Sequence, residues 1–573
     1  MNKKILPIIA IVGNMKIAKE LSERFAGEKN YFAIMEEPWV SRPDAEHEVI
    51  RRNNLLAVIP HEHLLIAGCN EKSYELMTKG FPRKYKEKVI EIKNEENIRE
   101  MLKPILKYSN KNKIKMPYIE HDELKNLSTS EQIAVIENSN SIGEVIAENF
   151  CIANGYKILK IEDASEELVN ECEELLRDWN CSDSGLLQDE AGEKLFKLLR
   201  SRTGDLEQKK FYRIVFFTRG IPYGILPFKS PVAHFFLERD LGIQILRGYI
   251  RHVEKNPGIA LALICDPGRI PDSESTRVKE ILMKNGVESV NLIGKKATSY
   301  RFMHLIERYP YDFAMISSHA GEVDGRRITE EFTSSKGTEY KVVYDLYASL
   351  APVPGDDRVI VQEMTVPISI NDIPWSNKKK IKENKDLAAF DLLEFISQDR
   401  RKRKLQKIEH RKGIKFSNAL QFYKLPWIPV FHTLGETRFP IVFNNACSSW
   451  IQMANKFIFG GGLVYIGTTK DIITTLASSC GSRFIELAIK RRSMLYALYQ
   501  AQEPYIGQLG YSPYLYFGHP DASLRPTFSN NKKIRDKRVK STIDYWRKKL
   551  LTCKDEENKR KIKSILASIL EVR

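Results

Sequence analysis

Asp312-Phe-Ala-Met-Ile-Ser-Ser-His-Ala-Gly-Glu322 and Pro440-Ile-Val-Phe-Asn-Asn-Ala-Cys-Ser-Ser449 are built alike. Each opens with a short apolar run that reads as a buried strand and closes on small and polar residues. His319 stands just past the end of the first strand and Cys447 just past the end of the second. In a parallel α/β sheet the carboxyl ends of the strands share one crevice, where such folds build their sites. A cysteine and a histidine brought together there are a nucleophile and its base. The predicted fold class is therefore α/β, with His319 and Cys447 as the candidate catalytic pair.

Strand and helix patterns alternate outward from these two stretches. Strands are predicted over 5–12, 54–59, 63–67, 132–137, 157–161, 212–217, 259–265, 290–293 and 460–467. Helices are predicted over 16–25, 94–103, 141–154, 165–179, 275–285, 300–308, 448–457 and 471–490. Such alternation argues for a largely parallel sheet covered on both faces. Residues 109–128 are polar and Lys/Asn-rich and read as a linker. The expected organisation is an N-terminal α/β accessory domain over 1–110, an α/β connecting region over 129–184 and a main α/β domain over 185–526. A basic helical segment over 527–573 follows, with Ile543, Trp546 and Leu550 on one face.

The 127 positions between His319 and Cys447 hold an expected insertion at about 325–415. Residues 340–350 and 358–370 alternate like a hairpin around Pro352-Val-Pro-Gly-Asp-Asp357. A lysine cluster from Asn377, a short helix near 387–396 and the basic run Arg400-Arg-Lys-Arg-Lys404 follow.

With 573 residues, 42% hydrophobic and 29% charged, the chain has the composition of a multidomain soluble protein. Its net charge of +16 allows acidic partners, nucleic acid or an anionic membrane face; a Lys-rich surface is the simpler account. The eight cysteines form no Cys-x-x-Cys pair and mostly sit in apolar runs. This fits reduced thiols in a cytosol rather than a disulfide framework. His61-Glu-His63 reads as strand, not as a metal site. The N-terminus superficially resembles a signal peptide, but no small-x-small site follows before Lys16. No apolar run reaches the roughly 18 residues of a membrane span. A cytoplasmic protein without metal or other cofactor is expected.

A cysteine near its ordinary pKa is mostly protonated at neutral pH and needs help. His319 is one source. A helix starting at Ser448 or Ser449, both suited to an N-cap, would be another through its positive end. The backbone N–H of Cys447 and those of Ala320 or Gly321 are the candidate oxyanion donors. Glu322 and Asp324 lie near His319 in sequence, and the orienting residue stays unassigned.

Residues 185–526 resemble the CHAT domain, one of the caspase-like cysteine peptidases that include caspases, separase and gingipains. Arg219-Gly-Ile-Pro-Tyr-Gly-Ile-Leu-Pro-Phe228, Leu237-Glu-Arg-Asp240, Cys265-Asp-Pro267, Ser318-His-Ala-Gly-Glu322, Asn445-Ala-Cys-Ser-Ser449, Gly461-Gly-Leu-Val-Tyr-Ile-Gly467 and Tyr516-Phe-Gly-His-Pro520 match its motifs in order. The resemblance implies a caspase-like sheet and a cysteine endopeptidase acting on a protein partner. It implies His319 as base, Cys447 as nucleophile and activation by a partner or signal, often in bacterial antiviral defence or cell death. Ala320 replaces the usual glycine after the histidine, and His519 stands where aspartate is common. Many relatives prefer a basic residue before the scissile bond. Asp471 is the candidate pocket acid, with a helix N-terminal aspartate as the competing reading. Two other readings remain open at this stage. One is a non-catalytic scaffold on the same fold. The other is nucleic-acid binding through 377–404 and the C-terminal helix, with a protein or ribonucleoprotein as activator.

Overall fold

A computed structural model describes residues 6–26, 33–37, 61–79 and 89–93, with a few isolated positions between them, and most of 131–572. Within 131–572 the undescribed positions are 182–184, 239–240, 254–257, 376, 384–393, 396–402, 416, 432, 451, 491–492 and 527–530. The predicted linker and the predicted helix at 387–396 fall largely outside the described residues, as does the helix at 94–103.

The chain is mixed α/β around a ten-stranded sheet. Across the sheet the order is Glu288–Ile293, Leu261–Asp266, Phe313–Ile316, Ile441–Asn444, Val464–Thr468, Tyr514–Gly518, Val232–Phe236, Arg213–Thr218, Gln132–Glu137 and Lys157–Ile161. Every neighbouring pair is parallel except Val464–Thr468 against Tyr514–Gly518. The sheet is thus two parallel halves of opposite direction meeting at one seam. The strands at 132–137 and 157–161, read as part of a connecting region, are hydrogen-bonded into this same sheet.

Strand alternation divides the apolar residues between two cores. Phe313, Met315, Ile441 and Phe443 face one, whereas Ala314, Ile316 and Val442 face the other. Each large side chain buried this way contributes about 1.5–3 kcal/mol. The first core runs on into an N-terminal four-stranded parallel sheet ordered Ala33–Glu36, Leu6–Val12, His61–Ala67, Val89–Ile92. Helix Leu241–Val253 meets the first of these strands so closely that a Cβ on Gly242 would lie 2.1 Å from the Ile34 carbonyl. Among the described residues of 54–59, where a strand was expected, none is extended into a sheet. Leu56 and Ala57 are helical, and Val49, Arg52, Leu56 and Ile59 are buried at a helical spacing.

The insertion is larger than a hairpin. It forms a five-stranded antiparallel sheet ordered Ile373–Pro374, Val359–Ile370, Glu339–Pro352, Gly325–Thr333, Lys404–Arg411. Its basic run is not a free arm where it is described. The Arg403 guanidinium lies 3.9 Å over the Phe395 ring and 3.2 Å from Glu330, and Lys404 pairs with Glu331 at 3.0 Å. At the C-terminus, helices Asn531–Thr552 and Glu556–Glu571 pack on the second core through Ile543, Trp546 and Leu550. Among the described residues no helix is long and apolar enough to cross a membrane.

Candidate active site

The His319 and Cys447 strands are parallel neighbours, paired from Phe313↔Ile441 to Ile316↔Asn444. His319 and Cys447 each lie three residues beyond that last pair. They therefore leave the sheet at the same level from adjacent strands, which run about 4.8 Å apart. One further main-chain bond, Asn445 N–H to the Ile316 carbonyl at 2.8 Å, extends the pairing past the sheet. His319 is exposed and Cys447 half-buried. The His319 loop is held by its main chain: Gln421 N–H donates to the His319 carbonyl at 2.8 Å, and the Ser318 hydroxyl donates to the Gln421 carbonyl.

Burial pushes the Cys447 thiol above its ordinary range, and the charge of Asp471 pushes the same way. A main-chain hydrogen bond to the sulfur at Ile472 pulls the other way, while the Ile472 carbonyl lies 4.0 Å from the sulfur on the accepting side. Burial and Asp471 thus both favour the protonated thiol over thiolate.

The helix expected directly after Cys447 is absent. Ser448 and Gln452 adopt left-handed backbone (φ 47° and 65°), and the helix begins only at Met453. The serines read as helix caps hold a turn instead. Ser449 Oγ donates to the Asn444 carbonyl at 3.1 Å and accepts from Thr468 N–H at 3.0 Å. Ser448 Oγ donates to Asp471 Oδ1 at 2.8 Å. These ties to the neighbouring strand outweigh helix propensity, so no helix N-terminus begins at the sulfur.

Ala320 and Gly321 form a short antiparallel bridge with Ala419–Gln421. The bond from Gln421 to His319 makes that pair a hydrogen-bonded position, so the alternation turns the Ala320 N–H away from the ladder and uses the Gly321 N–H within it. Ala320 has no positive φ, so its Cβ costs nothing here. The register thus leaves the Ala320 N–H off the ladder and places that of Gly321 within it.

A cavity of about 540 Å³ opens beside this turn, lined by Ala320, Ser448 and Asp471 among others. One wall is helix Glu166–Cys181, and Ile368 and Trp375 of the inserted sheet lie opposite. Arg177 on that helix grips Glu322 through two nitrogens, at 2.9 and 3.0 Å, and Lys415 pairs with Glu174 at 2.7 Å. Glu166, Glu173 and Asp471 remain, so the cavity is acidic. Burial, aided by the charge of Glu174, pushes the Glu173 carboxyl up to about 7. Sequence reasoning missed Glu173. Its helix was legible as glutamate-rich, but nothing local places it opposite Ala320.

Asp471 does not cap the following helix, which starts at Thr474; its carboxylate holds Ser448, and its N–H donates to Asn180 Oδ1 at 3.1 Å. Glu322 is spent on Arg177, and Asp324 accepts from Gly413 N–H at 3.0 Å. Neither orients His319. His519 is buried edge-on against Phe150 and Phe235. Among the described residues no group of three or more His, Cys, Asp or Glu is placed to hold a metal ion.

Neither a protein family nor a curated protein matches the chain. The functional reading therefore rests on this geometry and on the motif resemblance.

Proposed function

We propose that the chain is a caspase-like cysteine endopeptidase of the CHAT type. The observation that carries this reading is the register, which brings His319 and Cys447 off adjacent parallel strands at one level. His319 takes the thiol proton as the sulfur attacks a peptide carbonyl. The carbonyl oxygen gains charge between the N–H groups of Ala320 and Cys447. His319 then returns the proton to the leaving amine, so the peptide C–N bond breaks and a thioester remains. Water attacks the thioester with His319 again as base, releasing the acid and restoring the thiol.

The acidic cavity suits a Lys or Arg side chain of a protein substrate, with Asp471 as its nearest acid to the turn of Cys447. Burial and Asp471, which disfavour thiolate, leave room for activation by a partner or signal. The test is to incubate wild-type and Cys447→Ala protein with a proteome, with and without candidate activators, and to map new N-termini. Cleavage after Lys or Arg that disappears in Cys447→Ala is expected. Identical new N-termini in both proteins would refute the nucleophile. A Cys447 that shows no cleavage with any activator and no reaction with an electrophilic peptide probe would favour the scaffold reading.

A further inference from the structure

A buried pair of adjacent residues, Ser273 and Glu274, meets the ends of the strands that carry His319 and Cys447. Glu274 opens helix Ser275–Lys284 and is only 2% exposed. It stands at the cap position, yet its side chain makes no capping bond. It turns inward instead. Asn445 Nδ2 donates to its Oε1 at 2.7 Å, and the Ser317 hydroxyl, paired with that of the neighbouring Ser273, is near enough to the carboxyl to lower its pKa. Ser317 lies two residues before His319, and Asn445 two before Cys447. Both are buried, at 1% and 2% exposure.

The surroundings hold this clamp rigid. Tyr514 OH donates to Asn445 Oδ1 at 2.6 Å, and Asn445 Nδ2 also donates to the Ala477 carbonyl at 3.1 Å. Ser317 Oγ lies 2.9 Å from Ser273 Oγ. Helix Thr474–Lys490 presses on the cluster at Gly481, where a Cβ would lie 3.2 Å from Asn445 Nδ2 and 3.3 Å from Glu274 Cγ. A residue with any side chain would have to push the clamp aside.

We propose that Glu274 is a positioning residue: it ties the end of the histidine strand to the end of the cysteine strand and so sets the geometry between His319 and Cys447. The inference rests on the reading of that pair as a dyad. Glu274 touches no reacting atom in this scheme. Asn445 is bonded to Glu274 and Ser317 to the adjacent Ser273, so the two strand ends cannot drift apart without breaking a buried hydrogen bond. A dyad needs that precision, since a displacement near 1 Å costs on the order of 100-fold in rate.

The test reads the coupling of His319 to Cys447 and needs no substrate. The probe is iodoacetamide on the full chain at pH 7, with the rate at Cys447 followed by peptide mass spectrometry. His319→Ala is made in the wild-type and Glu274→Ala backgrounds. In the wild-type background it should slow alkylation by about tenfold, because the base that generates thiolate is gone. In the Glu274→Ala background it should change the rate by less than about twofold, because the base is already misplaced. Glu274→Gln, which keeps the shape and one acceptor, should restore part of the coupling. Thermal unfolding of each variant confirms that it is folded, and Glu274→Gln serves if Glu274→Ala is not. An equal effect of His319→Ala in both backgrounds overturns the clamp and leaves the dyad standing. No effect in the wild-type background overturns the dyad reading, and the clamp with it.

Discussion

Removing the charge of Asp312 should loosen the foot of the strand that carries His319. Asp312 is fully buried, and three arginines from three elements converge on it. Arg251 donates at 2.9 Å and Arg538 at 2.7 Å, while Arg438 lies at 3.5 Å. The Ala260 N–H donates to the same carboxylate at 2.9 Å. Burial by itself would raise the carboxyl, but the three guanidinium groups, Arg251 foremost, hold it at about 2 against an ordinary 3.8. That gap is worth about 2.5 kcal/mol at neutral pH. Because the folded-state value is depressed, this stabilisation is present above pH 3.8 and is lost only as the pH falls through 2. Asp312→Asn should therefore cost about 2.5 kcal/mol. Asp312→Ala also strands a buried N–H and leaves the arginines uncompensated, so its cost should reach about 3–5 kcal/mol. Urea unfolding at pH 7 and pH 5 measures both. Trypsin should also release helix Asn531–Thr552 earlier in the variants, since Arg538 anchors it. An Asn variant within about 0.5 kcal/mol of wild type at pH 7 would refute the reasoning. So would a gap that closes between pH 7 and pH 5.

Three further perturbations probe the site. Asp471→Asn keeps a partner for Ser448 but removes the charge that raises the thiol, so iodoacetamide should modify Cys447 about two- to tenfold faster at pH 7; an unchanged rate would count against this. Gly481→Ala should cost about 1–3 kcal/mol in urea unfolding through overpacking of Asn445 and Glu274, and a neutral substitution would mean that the helix yields there. Burial raises the Glu274 carboxyl from 4.5 to about 6; stability from its neutral form is complete below pH 4.5 and lost as pH rises through 6, so wild type should lose about 2 kcal/mol relative to Glu274→Gln between pH 4.5 and 7.5, and a flat difference would sink the assignment.

The catalytic strands were legible because their apolar runs bury on both faces, and a run of that kind leaves few alternatives to a central parallel strand. The strand at 132–137 was legible for the same reason, but not its partner. Pairing of Ile133 with Ile214 is a contact across the sheet that no local pattern encodes. The turn after Cys447 was misread because Ser448 and Gln452 take left-handed backbone that their residue types do not advertise. The bonds that compel it come from Thr468 and Asp471, about 20 residues downstream. The insertion's hairpin showed its alternation, whereas Lys404–Arg411 was hidden behind its charges. As an edge strand it is largely exposed along its length and carries little apolar signal.

One helix braces both the loop after His319 and the loop after Cys447. Helix Glu166–Cys181 grips Glu322, three residues past His319, through Arg177. One turn further on, Asn180 accepts from the Asp471 N–H and donates to the Thr469 carbonyl at 3.3 Å. Asp471 in turn holds Ser448, the residue after the nucleophile. The wall of the acidic cavity is therefore continuous with the supports of His319 and of Cys447. A cation that entered the cavity would meet Glu173, whose carboxyl is raised by burial and would ionise more readily beside it. The helix that carries Glu173 is thus hydrogen-bonded to residues that follow both His319 and Cys447. Glu274 constrains the same two strand ends from beneath. The strand ends that carry His319 and Cys447 are thus held at one side by Ser273 and Glu274 and at the other by one helix, an arrangement that fits the proposed peptidase.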